Sequence, residues 1–278
     1  MQPIILNSQT ANGVALQATF LPEMGMNMIS YKMGDIEVID QSTRDQFEKR
    51  YAGLGPLIGP HFHTKRQLTN NAHVTAQLFP HILNIKKNSS NDYFSHGIAR
   101  YAPWKATFTE NKVSAEISGK DLFKGIPLSV LEGQNFKMSF SAELLPSGLY
   151  IKMSTLSDTA SVVGIHYYYH LPNGTGTVTA KIKDNSEENQ SNFLVFDLKN
   201  EADHTFHPFP DPLHGEILLD AVNYKLLTTY SSLSEENCFQ LYHPKDASFV
   251  CIEPLSAKDP RNSNLTVSSI SINLKILS

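Results

Sequence analysis

Apolar and polar positions alternate with a period of two along most of this 278-residue chain, the spacing at which successive side chains of a strand point to opposite faces. In residues 136–144, Phe136, Met138, Phe140, Ala142 and Leu144 fall on one side and Lys137, Ser139, Ser141 and Glu143 on the other. After Pro146, Ser147 and Gly148 the alternation resumes with Leu149, Ile151 and Met153, which predicts a hairpin with one wet face. Residues 106–108 and 113–117 predict a second. Further strands are expected at 28–33, 162–169, 177–182, 193–198, 239–242, 249–252 and 270–276. No segment keeps an apolar stripe at helical spacing for three turns, and residues 232–238 suit at most a short helix. With turn residues separating the strands at short intervals, the expected fold is all-β, a large antiparallel β-sandwich. The polar run 184–192 and the His- and Pro-rich run 204–215 read as long loops, the kind that edges a binding face.

Nothing resembling a linker, repeat or low-complexity tract divides the chain, so residues 1–278 are expected to form one domain. Hydrophobic residues make up 41% and charged residues 18%, a composition that supplies a sizeable core. Against 27 Asp and Glu stand 23 Lys and Arg, with no basic block to follow a phosphate backbone, which argues against nucleic acid as a partner. The opening residues lack a basic segment followed by an apolar run, and no 18-residue apolar stretch occurs, so the expectation is a cytoplasmic protein without a membrane partner. Two cysteines, Cys238 and Cys251, are too few for a disulfide framework and fit a reducing compartment, although a single bridge stays open. The glycosylation patterns at Asn88, Asn173, Asn189 and Asn264 carry no weight without a leader.

Eleven histidines exceed what a core needs. In a strand, His61 and His63 would point both rings to one face, as would His166 and His170, and either pair suits zinc in geometry alone. The supporting signatures are missing: no His-Glu-x-x-His, no Cys pair at ligand spacing. His96 precedes Gly97, which lets a backbone approach closely, and stands ahead of Arg100 and Trp104, whose flat ring suits the C–H side of a sugar. The same residues also describe a glycine turn beside a buried Trp. His166 alternates with core residues and reads either as a catalytic imidazole or as a core histidine satisfied by a tyrosine hydroxyl. Glu253 follows the buried-type run 248–252 and precedes Pro254; such a carboxylate either caps a loop or sits in a pocket with a raised pKa, ready to act as a base.

Three segments, His96-Gly97-Ile98-Ala99-Arg100 with Pro103-Trp104, His166-Tyr167-Tyr168-Tyr169 and Ile252-Glu253-Pro254, resemble in order and type those of the aldose 1-epimerase (galactose mutarotase-like) family. The first is similar to the form of its hexose-6-phosphate 1-epimerase branch. Residues 22–31 resemble the family's opening strand pair, with Gly25 at the turn. The resemblance implies a supersandwich fold and an enzyme without cofactor or metal that interconverts the anomers of a hexose or hexose 6-phosphate. It further implies Glu253 as the base on the C1 hydroxyl, His166 as the acid on the ring oxygen and His96 as a donor to the same region. Arg66, Arg100, Asp220, Trp104 and Tyr168 are the expected substrate-binding residues, in a monomer or homodimer. The chain departs from the family at Pro60, where an Arg would bind sugar hydroxyls; Arg66, Lys65, His61 and His63 are the candidates to replace it. A carbohydrate-binding protein without turnover, or a metal hydrolase built on the paired histidines, are the alternatives.

Overall fold

The structure, a computed structural model, describes residues 2–63, 74–85, 92–183, 191–258 and 265–277. Alternation becomes sheet. Nine antiparallel strands run in the order Ser191–Asp197, Thr177–Lys183, His214–Asp220, Lys225–Ser232, Val267–Leu277, Gly148–Ser157, Phe136–Leu145, Lys112–Ser118 and Lys105–Phe108. The first expected hairpin joins Leu145 to Gly148 and extends in register to the pair Phe136 and Ser157, and the second pairs Lys105–Phe108 with Lys112–Ser118. Val267–Leu277 lies in the middle, hydrogen-bonded to Lys225–Ser232 on one side and Gly148–Ser157 on the other.

A four-stranded sheet of Ile4–Gln9, Ala15–Leu21, Asn27–Met33 and Ile36–Glu37 packs on this large sheet. Phe20 meets Phe140 edge to face at 5.6 Å, and the buried Tyr31 hydroxyl donates to the Leu274 carbonyl across the layers at 2.9 Å. A six-stranded sheet orders Ala202–Phe206, Cys238–His243, Phe249–Leu255, Gly164–Ile165 and Leu57–Ile58, with Tyr167–His170 also paired to Phe249–Leu255. Its inward residues, among them Tyr167, Tyr169, Leu241, Val250 and Ile252, join the same apolar cluster as the large sheet.

Several expectations change. Residues 162–169 are not one strand: the ladder breaks at His166, between Gly164–Ile165 and Tyr167–His170. Both ends of the run 204–215 are strand, Ala202–Phe206 and His214–Asp220, because a polar surface face weakened the alternation there. Residues 232–238 form no helix. Two short α-helices form instead: Arg44–Arg50, which buries only Phe47 and so shows no stripe, and the five-residue Leu128–Glu132. Residues 184–190 lie outside the described residues. Neither cysteine is bridged, and both are buried. Among the described residues no helix is long and apolar enough to cross a membrane.

Phe140 carries the contact between layers, packed by Phe20 and, at 6.4 Å, by Trp104. Phe140→Ala is expected to cost about 3–5 kcal/mol by opening a cavity that the sheets cannot collapse to fill. Urea unfolding, with the m-value unchanged, measures it.

Candidate functional site

Two faces of the six-stranded sheet divide the labour. Tyr167, Tyr169, Val250 and Ile252 point into the core, so by strand alternation Tyr168, Cys251 and Glu253 point the other way. Gln240 pairs with Glu253 and Tyr242 with Cys251 in the next strand, and Asp203 pairs with Tyr242 beyond it. This second face floors a cavity of about 360 Å³, walled by Arg50, His63, His96, Arg100 and Tyr101.

His166 sits where the ladder breaks, its backbone N–H donating to the carbonyl of Pro56, the residue before Leu57–Ile58. Its Nε2 stands 3.2 Å from Glu253 Oε1, without the alignment of a hydrogen bond, and neither ring nitrogen nor Glu253 Oε2 has a hydrogen-bond partner. Both side chains are buried, at 7% and 2% exposure, and Tyr168 stacks parallel on the imidazole at 5.0 Å. Burial pushes Glu253 well above the usual carboxylate range; Arg100 pulls against this and Asp203 adds to it. Burial also holds His166 well below its ordinary value, with Arg100 and His63 repelling a second charge. The pair therefore shares one exchangeable proton, which the dry surroundings favour on the carboxyl group.

His96 is placed by backbone geometry. It adopts φ 65° ahead of Gly97 at φ 90°, and a Cβ on Gly97 would lie 1.9 Å from the Gly59 carbonyl oxygen, so only glycine fits. Gly25 has the same role on the other side: its Cβ would strike the Arg100 carbonyl at 2.1 Å. The His63 backbone N–H donates to His96 Nδ1 at 3.3 Å, which leaves Nε2 as the protonated nitrogen of the neutral ring. Burial, with Arg100 and His166 nearby, holds that ring well below its ordinary pKa. His96 thus meets His166 edge to face at 5.1 Å as an uncharged donor.

Beneath this loop lies a buried ion cluster. His61 Nδ1 is 2.5 Å from Glu132 Oε1 and Nε2 is 2.9 Å from Asp92 Oδ2. Burial alone would strip the ring of charge, but the Glu132 and Asp92 carboxylates outweigh it and push the imidazole up to about 9. The carboxylates also reach the backbone: Glu132 accepts the Ile98 N–H and Asp92 the Phe94 N–H, each at 2.9 Å.

His96, His166, Glu253, Arg100 and Tyr168 thus share one cavity. Arg100 is buried there, its Nε donating to the Leu57 carbonyl and its Nη2 unpartnered. Trp104 is no sugar platform: it is buried, donates Nε1–H to Ala99 and packs on Phe140. Asp220 is outside the cavity, at the end of a strand of the large sheet, where it pairs with Lys225 at 2.8 Å and accepts the Val222 N–H. His61 is locked between carboxylates and so replaces no family Arg, and it does not share a metal face with His63, because 61–63 is loop rather than strand. His170 turns to Asp40, 3.8 Å away. Arg66 and Lys65 fall outside the described residues. Arg50, Asp203 and Gln240 line the cavity unforeseen; Gln240 donates to Asp203 and accepts from Thr205, both at 2.5 Å. Neither Asp203 nor Arg50 carried a signal: three polar residues in succession, Asp203, His204 and Thr205, hide the strand. The one group of His, Cys, Asp and Glu side chains at metal-ligand proximity among the described residues is His166, Cys251 and Glu253.

No protein-family profile matches the chain, and no curated protein matches it in sequence. Solved structures match along almost its whole length. The Slr1438 protein of Synechocystis sp. PCC 6803 superposes with a TM-score of 0.67 at 17% identity, over 99% of this chain and 96% of its own. The GalM/aldose epimerase homologue of C. elegans gives 0.65 at 15% identity, over 100% of both chains. A galactose mutarotase-like protein of Lactobacillus casei gives 0.64 at 10% identity, over 99% and 100%. The chain therefore has the galactose mutarotase-like fold, a large antiparallel β-sandwich whose structural neighbours are galactose mutarotase-like and aldose 1-epimerase proteins.

The ion cluster has a pH signature. His61 is raised from 6.5 to about 9 in the folded protein, so its contribution to stability is full below pH 6.5 and fades as pH rises through 9. His61→Gln is expected to destabilise by about 3–5 kcal/mol near neutrality, because two buried carboxylates lose their cation. It should also flatten the fall in stability between these pH values, as followed by urea unfolding.

Proposed function

We propose that this protein is an aldose 1-epimerase, interconverting the α and β anomers of a hexose or hexose 6-phosphate. The observation that carries the reading is the buried, hydrogen-bond-free pair of Glu253 and His166, 3.2 Å apart in a cavity of sugar size. Mutarotation needs one proton removed from the C1 hydroxyl and one delivered to the ring oxygen. Those two oxygens hang on the same carbon, so an acceptor and a donor a few ångströms apart address both. In the working state the shared proton rides on His166. Glu253 then takes the hydroxyl proton as the C1–O5 bond breaks, and His166 protonates O5. The aldehyde rotates about C1–C2 and recloses by the reverse steps, restoring both groups. His96 Nε2–H donates to the oxygen that gains charge, and Arg100 steadies the Glu253 carboxylate. Asp203 and Gln240 offer polar atoms to the hydroxyls farther from C1.

Decay of the optical rotation of fresh α-glucose and α-galactose is the direct test. Glu253→Gln and His166→Ala are each expected to lose about 10²- to 10⁴-fold in rate, since each removes one proton-transfer partner, and His96→Ala should lose less. Near-normal turnover by Glu253→Gln would refute the base. The rate should be bell-shaped in pH, because the pair works only while it holds one proton; a flat profile would contradict the shared-proton account.

Arg50, whose Nη2 donates to Gln46 Oε1 at 2.8 Å, also lines the cavity, and we assign it the phosphate of a phosphorylated sugar. Glucose 6-phosphate should show a higher kcat/KM than glucose, and Arg50→Ala should shrink that ratio by about tenfold or more, the worth of a charge-assisted hydrogen bond. A preference for free hexose that Arg50→Ala leaves untouched would remove the phosphate and keep the epimerase.

A further inference from the structure

We propose that His166, Cys251 and Glu253 form a binding site for a thiophilic divalent cation, Zn²⁺ in the first instance, and that the ion shuts the sugar cavity by seizing its acid/base pair. Their ligand atoms all lie within 4.8 Å of one another, and two of the three come from alternate positions of one strand, Phe249–Leu255, which fixes them on the same face. Opposite Cys251 in the ladder stands Tyr168, two residues beyond His166. The third ligand is thus held by the break in the neighbouring strand.

A second observation points to a ligand. Both His166 ring nitrogens and Glu253 Oε2 are buried with no hydrogen-bond partner, so the site presents lone pairs that protein groups leave unused. Zinc bonds of about 2.0–2.3 Å require the three side chains to draw together by about 1 Å, within reach of small torsional changes. One nitrogen, one sulfur and one oxygen match zinc and its thiophilic relatives, whereas Mg²⁺ and Ca²⁺ demand oxygen alone. Binding forms a coordinate bond to each ligand, and the Cys251 thiol and the Glu253 carboxyl group each give a proton to solvent; nothing is oxidised or reduced. Thiolate and carboxylate together neutralise the ion, and its fourth position opens on the cavity, where water completes the tetrahedron. The site rests on this ligand set and not on the anomer reaction.

The test uses the full chain stripped with EDTA. Calorimetric titration with ZnCl₂ should give one ion per chain with a micromolar or tighter Kd, and Co²⁺ should produce a thiolate-to-cobalt charge-transfer band. Cys251→Ser should abolish the band and weaken Zn²⁺ at least tenfold, while Cys238→Ser keeps both. His166→Ala, also expected to weaken Zn²⁺ at least tenfold, serves as the second variant if circular dichroism shows Cys251→Ser unfolded. If the chain turns over sugar, Zn²⁺ should raise the apparent KM; if it turns over none, the binding and spectral arms still decide. No uptake at micromolar Zn²⁺, a band that follows Cys238, or binding indifferent to both Cys251→Ser and His166→Ala overturns the site.

Discussion

A charged imidazole clasped by two buried carboxylates holds the functional end of this molecule together. His61, Asp92 and Glu132 come from three separate segments, and each carboxylate spends its second oxygen on a backbone N–H of the segment leading to or through His96-Gly97. The arrangement is costly in isolation, since burying ions requires near-complete compensation. Compensation is what the geometry supplies: two carboxylates around one cation and no ring nitrogen left over. With the cluster in place, Gly97 can press on the Gly59 carbonyl and His96 is turned into the cavity.

The second organising fact is the two-sidedness of the six-stranded sheet. One face is greasy and locks onto the large sheet; the other carries Asp203, Gln240, Glu253 and Tyr168. Strand geometry alone therefore places acids and amides side by side, with rigidity that loops lack. The same burial that stiffens Glu253 also raises its proton affinity, so rigidity and proton affinity have a single cause.

What could be read in the chain was local. The hairpin from Phe136 to Ser157 was legible because a period-two face with a tight turn needs no distant partner to declare itself. His96, His166 and Glu253 were legible through short ordered motifs, and Tyr168 and Arg100 through their place inside them. What escaped depended on long-range pairing. His61 was read as a candidate sugar or zinc ligand because its partners, Asp92 and Glu132, stand 31 and 71 residues away. Trp104 reads the same whether it faces a sugar or Phe140, and Asp220 the same whether it binds a hydroxyl or Lys225. The break in the ladder at His166 was invisible because the partner of its backbone N–H, the Pro56 carbonyl, lies in another segment.

The place of Val267–Leu277 in the large sheet bears on how the chain comes to be made. It joins Lys225–Ser232 to Gly148–Ser157, so the two halves of the sheet remain unconnected on the ribosome until residues near 277 have cleared the exit tunnel. Until then the strands flanking the gap have open edges, the state in which sheet proteins pair wrongly with their neighbours. Pairings so distant in sequence also close slowly. The interval before that strand arrives is thus the one in which the unfinished sheet is most exposed to wrong partners.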